Sequence, residues 1–285
     1  MSNAIVTLAV GHSPLWEVSH PLMAAYAERI GCDFIKITGE ALEKVAAHSR
    51  KLEVANSLKT YDRVLFLDGD VIIRENCPDL FELVPEEALG ATVEGEPFFK
   101  DSSLILADAC KLYGIEADEE RLDQEGWFNS GVMVISRCHT EMFRVPEGKQ
   151  LTVCHGFRDQ ALLNATRILH NVPLHDLGLE NNYIVSVMLH PARTMSPFDS
   201  NIFHTTGFLH PARLRVEFMR QFAVFWKGYR RSTTSMGRIV RLRDRFFFLK
   251  VAMKCRNNPI KRWILYPVAA IVLKILEICR YLTKA

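Results

Sequence analysis

Apolar positions in the first two hundred residues fall in short unbroken runs rather than in alternation. Residues 5–10 read IVTLAV and stop at Gly11. Residues 64–67 read VLFL, residues 71–73 VII, and residues 132–135 VMVI. Runs of this length suit strands covered on both faces. The stretches between them have helical composition. Ser19 as N-cap with Pro21 behind it predicts a helix that runs to Ile30 and stops at Gly31. A strand over 33–38, a helix over 40–60 and the strand at 64–67 follow. Beyond them the text is less regular, with strands expected at 90–93, 132–135 and near Val172 and Leu174. Helices are expected at 102–113 and 157–169. Strand and helix alternating at this spacing predict an α/β fold with a largely parallel sheet. Ligands of such sheets sit beyond the carboxyl ends of the strands, where Gly11 and Asp68-Gly69-Asp70 both fall.

That last tripeptide is where the chemistry enters. Asp68 and Asp70 flank a single glycine at the mouth of a core strand, and a second apolar run begins at once. An ionised carboxylate is costly to bury unless it is paired or bound to a cation. The placement therefore points to a divalent metal, with a solvated turn as the plainer reading. Two later segments bear on it. WFNSGVMVIS sets Asn129, Ser130 and Gly131 just before a core strand, and small residues there permit close approach of a ligand. HTTGFLHP offers His204 as a third ligand, Gly207 for approach to an anion, and His210 or Arg213 as cationic contacts. Arg50 and Lys51 precede the Asp68 strand, as a basic contact or as part of a solvated helix face.

Composition changes the picture mainly through its distribution. The 285 residues are 48% hydrophobic and 24% charged, which excludes general disorder. The net charge of +2 conceals a division: residues 1–210 hold 17 Lys/Arg against 30 Asp/Glu, and residues 211–285 hold 18 against 3. An acidic body with a basic last quarter points to an anionic partner for that quarter. Helices are expected over 215–230, 237–255 and 259–282, with aromatics and arginines interleaved. Residues 263–273 are apolar but short of a membrane span, so a helix lying at the headgroup level, anchored by Trp263 and Tyr266, is the expectation. Seven scattered cysteines without a CxxC pair are expected to be reduced thiols. No signal-peptide pattern opens the chain, so a cytoplasmic protein, peripheral on the inner face of a membrane, is expected.

Taken together, YDRVLFLDGDVII, WFNSGVMVIS, FRDQALLNA and HTTGFLHP resemble glycosyltransferase family 8, in the order and at the spacing of its segments. That family includes glycogenin and bacterial lipopolysaccharide galactosyl- and glucosyltransferases. The resemblance covers roughly residues 4–213, leaving 214–285 as a basic, aromatic-rich helical extension. It implies a GT-A fold, that is, a Rossmann-like nucleotide-binding sheet with mixed strands. It also implies a nucleotide-sugar donor, usually UDP-linked, Mn²⁺ (or Mg²⁺), a glycan or lipid-linked acceptor, and transfer with retention. By position it makes Asp68, Asp70 and His204 the metal ligands, a set that suits Mn²⁺. It assigns Asp159 and Gln160 to catalysis, and Asp68, Gly69, Asp70, Asn129, Ser130, Gly131 and Gly207 to the donor; Val10, Gly11, Lys51, His210 and Arg213 are expected as further donor contacts from their own places in the chain. The family's lysine after HxxG is His210 here and its tryptophan is Ala212, so Arg213 is the residue left to supply positive charge. Three other readings stay open: a haloacid dehalogenase-type phosphatase, which also carries DxD after a strand; a catalytically inactive GT-A-like binding protein; and a nucleic-acid binder using the basic tail.

Overall fold

The computed structural model describes residues 1–39, 47–97, 99, 101–188, 195–206 and 212–227. The chain divides into two compact units, Met1–Arg193 with Ser200–Phe208, and Thr194–Asp199 with Leu209–Ala285.

In the first unit, β1 (Asn3–Val10), α1 (Trp16–Ile30) and β2 (Asp33–Gly39) open the fold, and a 3₁₀ segment, Ala47–Glu53, leads into the single turn α2 (Val54–Ser57). Then come β3 (Arg63–Leu67), β4 (Val71–Ile73), α3 (Leu80–Leu83), β5 (Leu89–Val93), α4 (Ser102–Tyr113), α5 (Glu119–Glu125) and β6 (Phe128–Ser136). After these lie α6 (Asp159–Leu169), β7 (Leu174–Asp176), α7 (Gly178–Asn181), β8 (Tyr183–Ile184), α8 (Val185–Met188) and β9 (Ile202–His204). Six strands form one sheet in the order β2-β1-β3-β6-β5-β7, and β4-β9-β8 form a second.

The unbroken apolar runs are explained by this arrangement. Leu65 and Leu67 of β3 and Val132 and Val134 of β6 pack on one face with Met23, Tyr26 and Ala27 of α1. Their neighbours Val64, Phe66, Met133 and Ile135 pack on the other, with Val54, Leu58 and Leu163. Every residue of β3 and β6 is buried. Each large side chain so placed contributes roughly 1.5–3 kcal/mol of transfer free energy, and a one-residue slip in register would exchange two filled cores.

The large sheet is largely parallel with one reversed strand: β1 is parallel to β2 and β3, and β5 to β7, while β6 runs antiparallel to both β3 and β5. Three expectations need amending. Ser19 does not cap α1, which starts at Trp16 with Pro21 inside it; the Ser19 hydroxyl instead donates to Gly69 O at 2.8 Å. The helix expected over 40–60 is, in its described part, a 3₁₀ segment and one α turn, and residues 40–46 lie outside the described residues. Finally, Asn129, Ser130 and Gly131 stand inside β6, not before it.

That last difference matters for the site. Ala91 pairs with Met133, yet its neighbour Thr92 pairs with Asn129. Ser130, Gly131 and Val132 are therefore looped out of the β5 ladder as a bulge, while Val132 still pairs with Leu67. A bulge re-aims the residues it holds, and here it turns Ser130 and Gly131 toward the end of β3.

In the second unit, α9 (Ala212–Lys227) packs its aromatic face on the Pro197–Asp199 turn. Phe198 stacks on Phe222 with centroids 4.6 Å apart, and Trp226 donates its indole N–H to Phe198 O at 2.9 Å. This aromatic face is thus occupied within the unit. Among the described residues, no helix is long and apolar enough to cross a membrane. The expected helices over 237–255 and 259–282 lie outside the described residues, as do Gly207 and His210 and the Arg213 side chain. The five described cysteines are free thiols.

Candidate active site

Pairing of the small sheet closes the long sequence gap between Asp70 and His204. In the antiparallel β4–β9 pair, Val71 stands opposite His204. Thr205 then binds Asp70 O through both its N–H (3.1 Å) and its hydroxyl (2.8 Å). The His204 ring comes to rest with Nε2 3.2 Å from Asp70 Oδ1 and 3.7 Å from Asp68 Oδ2. One ligand atom from each of Asp68, Asp70 and His204 lies within 4.8 Å of the others.

Gly131 makes room for that ring. A Cβ on it would fall 2.7 Å from His204 Nδ1 and 2.9 Å from Nε2, and would overlap Cε1. Asp68 N–H donates to Gly131 O at 2.8 Å, which ties the bulge of β6 to the end of β3. His204 is 2% exposed, and among the described residues its Nδ1 has no hydrogen-bond partner. The ring is therefore held by shape, with one nitrogen facing two carboxylates. Two carboxylates from the turn between β3 and β4 and an imidazole from β9 fit a divalent cation by donor type and number.

Lys51 is the second centre. It is 3% exposed, and its Nζ lies 2.9 Å from Asp159 Oδ2 and 3.2 Å from Asp68 Oδ1. It also donates to Ser130 O (3.1 Å) and Ser130 Oγ (3.0 Å), and it sits 5.0 Å from the centre of the Phe66 ring. Burial works against its charge, but Asp159 and Asp68 outweigh burial and hold the ammonium above its ordinary range. Burial likewise pushes Asp68 above the usual carboxylate range, against the pull of Lys51 and His204. The solvated-face alternative for Lys51 is thereby removed; Arg50 next to it pairs with Glu53 at 2.6 Å.

A polar chain continues from there. Gln160 Oε1 accepts from Ser130 N at 3.3 Å, and Gln160 Nε2 donates to Glu94 Oε2 at 2.9 Å. Asn129 Nδ2 donates to the other oxygen of Glu94 at 3.3 Å, while Asn129 Oδ1 accepts from Gly131 N (3.0 Å) and Asn182 Nδ2 (3.1 Å). Burial raises Glu94 above the usual carboxylate range, opposed by the bonds from Gln160 and Asn129. One carboxylate thus fixes which way two amides point.

Asp68, Asp70, His204, Lys51, Asn129, Ser130, Gly131, Asp159 and Gln160 are therefore brought together. Val10 ends β1 at the same margin of the sheet and Gly11 follows it, but they bond toward β2, with Gly11 N–H on Gly39 O at 3.0 Å. Glu94, Asn182 and Trp16, whose indole lies against Gly69 between the two carboxylates, were missed by sequence reasoning. Glu94 follows a β-strand in an acidic turn, VEGEP, and only that position could have flagged it; nothing local marks the other two.

No protein-family model matches the chain, and neither does any curated protein. Solved structures do. A glycosyltransferase involved in glycosylation of the major capsid of PBCV-1 superposes with a TM-score of 0.52 at 15% identity, over 78% of this chain and 100% of that one. The galactosyltransferase LgtC, solved with donor and acceptor sugar analogues, gives 0.45 at 15% identity, over 82% and 98%. Mouse xyloside xylosyltransferase 1 in its apo form gives 0.45 at 14%, over 73% and 98%. The first of these likenesses carries the structural conclusion: the chain has the mixed α/β GT-A fold of glycosyltransferases.

Proposed function

We propose that this protein is a metal-dependent glycosyltransferase that moves a hexose from a nucleotide sugar, a UDP-sugar first among them, to a glycan or lipid-linked acceptor. The observation that carries this reading is the convergence of Asp68, Asp70 and His204 within 4.8 Å, next to the buried Lys51–Asp159 pair, on a GT-A fold. Those three residues would hold Mn²⁺ or Mg²⁺. Bound there, such an ion offsets the negative charge that develops as a diphosphate departs.

The remaining work falls to the chain's own side chains. Lys51 pairs with Asp159 at 2.9 Å and fixes its carboxylate, which would orient sugar hydroxyls. Gln160, locked between Ser130 and Glu94, presents an amide where a retaining glycosidase would place a nucleophilic carboxylate. An amide cannot form a stable glycosyl ester, so retention by front-face attack is the favoured course. A panel of nucleotide sugars with Mn²⁺, followed by slow donor hydrolysis in the absence of acceptor, tests the assignment. Turnover of at least one UDP-sugar is expected; no turnover and no binding of any nucleotide sugar would sink it.

For the basic last quarter we propose docking on an anionic membrane surface, on the strength of its charge and of residues 263–273. The full chain should then sediment with phosphatidylglycerol vesicles and not with neutral ones, and release as salt rises. Indifference to both vesicles with retention of DNA would point to nucleic acid instead.

A further inference from the structure

The turn that carries Asp68 and Asp70 is anchored from three directions. Two anchors belong to the strands already described: Asp68 N–H on Gly131 O, and Thr205 on Asp70 O. The third comes from α1, which carries none of the candidate ligands. Ser19 Oγ donates to Gly69 O at 2.8 Å. One turn earlier on the same helix, the Trp16 indole lies directly on Gly69: a Cβ there would fall 2.7 Å from Nε1 and 3.0 Å from Cδ1. The Gly69 backbone is outside the left-handed region, so its conformation does not demand glycine. The indole does.

Trp16 is itself braced. Its ring stacks on His20, with centroids 5.4 Å apart and planes 10° from parallel, and His20 meets Phe34 of β2 edge-on at 6.1 Å. Burial, with Lys36 nearby, lowers the His20 pKa to about 4, which leaves a neutral ring in the stack. A column of three rings thus runs from β2 to the glycine between the two carboxylates.

We propose that Trp16 is a positioning residue for the cation site, holding the Asp68-Gly69-Asp70 turn in ligating geometry, and that its emission reports occupancy of the site. The proposal rests on the reading that Asp68 and Asp70 bind a divalent cation. Residues that orient metal ligands typically change metal affinity 10–100-fold when removed.

Mn²⁺ alone is a sufficient probe, because it is paramagnetic and quenches nearby fluorescence. Binding is measured by the electron paramagnetic resonance of free Mn²⁺, and in parallel by tryptophan emission. The wild type should show saturable quenching with the resonance midpoint. Trp16→Phe should bind Mn²⁺ within about threefold of the wild type but lose the quenching, although Trp127, Trp226 and Trp263 remain. Trp16→Ala should bind about 10–100-fold more weakly with a melting temperature close to wild type. Gly69→Ala, which displaces the indole, should weaken binding to a similar degree, and it decides the matter if Trp16→Ala fails to fold. Wild-type affinity in a folded Trp16→Ala or Gly69→Ala protein overturns the proposal. Absence of Mn²⁺ binding by the wild type overturns the underlying cation reading, a separate and recognisable result.

Discussion

Asp70→Asn is expected to abolish cation-dependent donor turnover, by at least about a hundredfold to a thousandfold, the scale for losing one preorganised electrostatic group. The substitution keeps shape and removes charge. Asp70 O stays bonded to Thr205 and Val71 stays opposite His204, so the β4–β9 register should survive and the melting temperature should move little. What goes is one of only two carboxylates in the three-residue cluster. Donor hydrolysis across a Mn²⁺ titration, with circular dichroism as control, checks this. Unchanged turnover in Asp70→Asn would leave the cluster without a catalytic purpose.

Lys51→Met should have the other large effect, and it should be on both stability and activity. Methionine nearly matches the stem of lysine, so packing against Phe66 is kept while the ammonium is lost. Asp159 would then sit buried, and Asp68 partly buried, without the cation now 2.9 Å and 3.2 Å away. Breaking a buried ion pair by removing one partner costs about 3–5 kcal/mol. Chemical denaturation should record a loss of that size. Adding Asp159→Asn to Lys51→Met should recover part of it, because the stranded charge is then gone, yet activity should stay low. If the single variant is as stable as wild type, Lys51 is not the keystone of the buried network. Water or another cation would then be serving the two carboxylates.

The chain's local text made much of this legible. VLFL and VMVI read as doubly covered strands because each residue of such a run faces one of two cores, and β3 and β6 have that character. The carboxylates of Asp68 and Asp70 stand out because acids are rare at the end of such a run. Yet strand and DxD also open haloacid dehalogenase-type phosphatases, and what set the two apart locally was Val71 standing after Asp70 where those enzymes usually carry a threonine. The direction of β6, antiparallel to β3, is invisible in periodicity, since an apolar run looks the same in either direction.

The sequence by itself determined which segments must be buried and which groups must then find charged or cationic partners, because burial follows from side-chain chemistry one residue at a time. Tertiary structure alone decided which partners they found. Register between β4 and β9 brings His204 to Asp70; the bulge in β6 aims Ser130 at Lys51 and clears Gly131 for the histidine ring. Glu94 and Trp16 join the site for the same reason. Their roles arise from backbone pairings and close approaches between segments far apart in the chain, and a local pattern of polar and apolar residues carries no record of those distances.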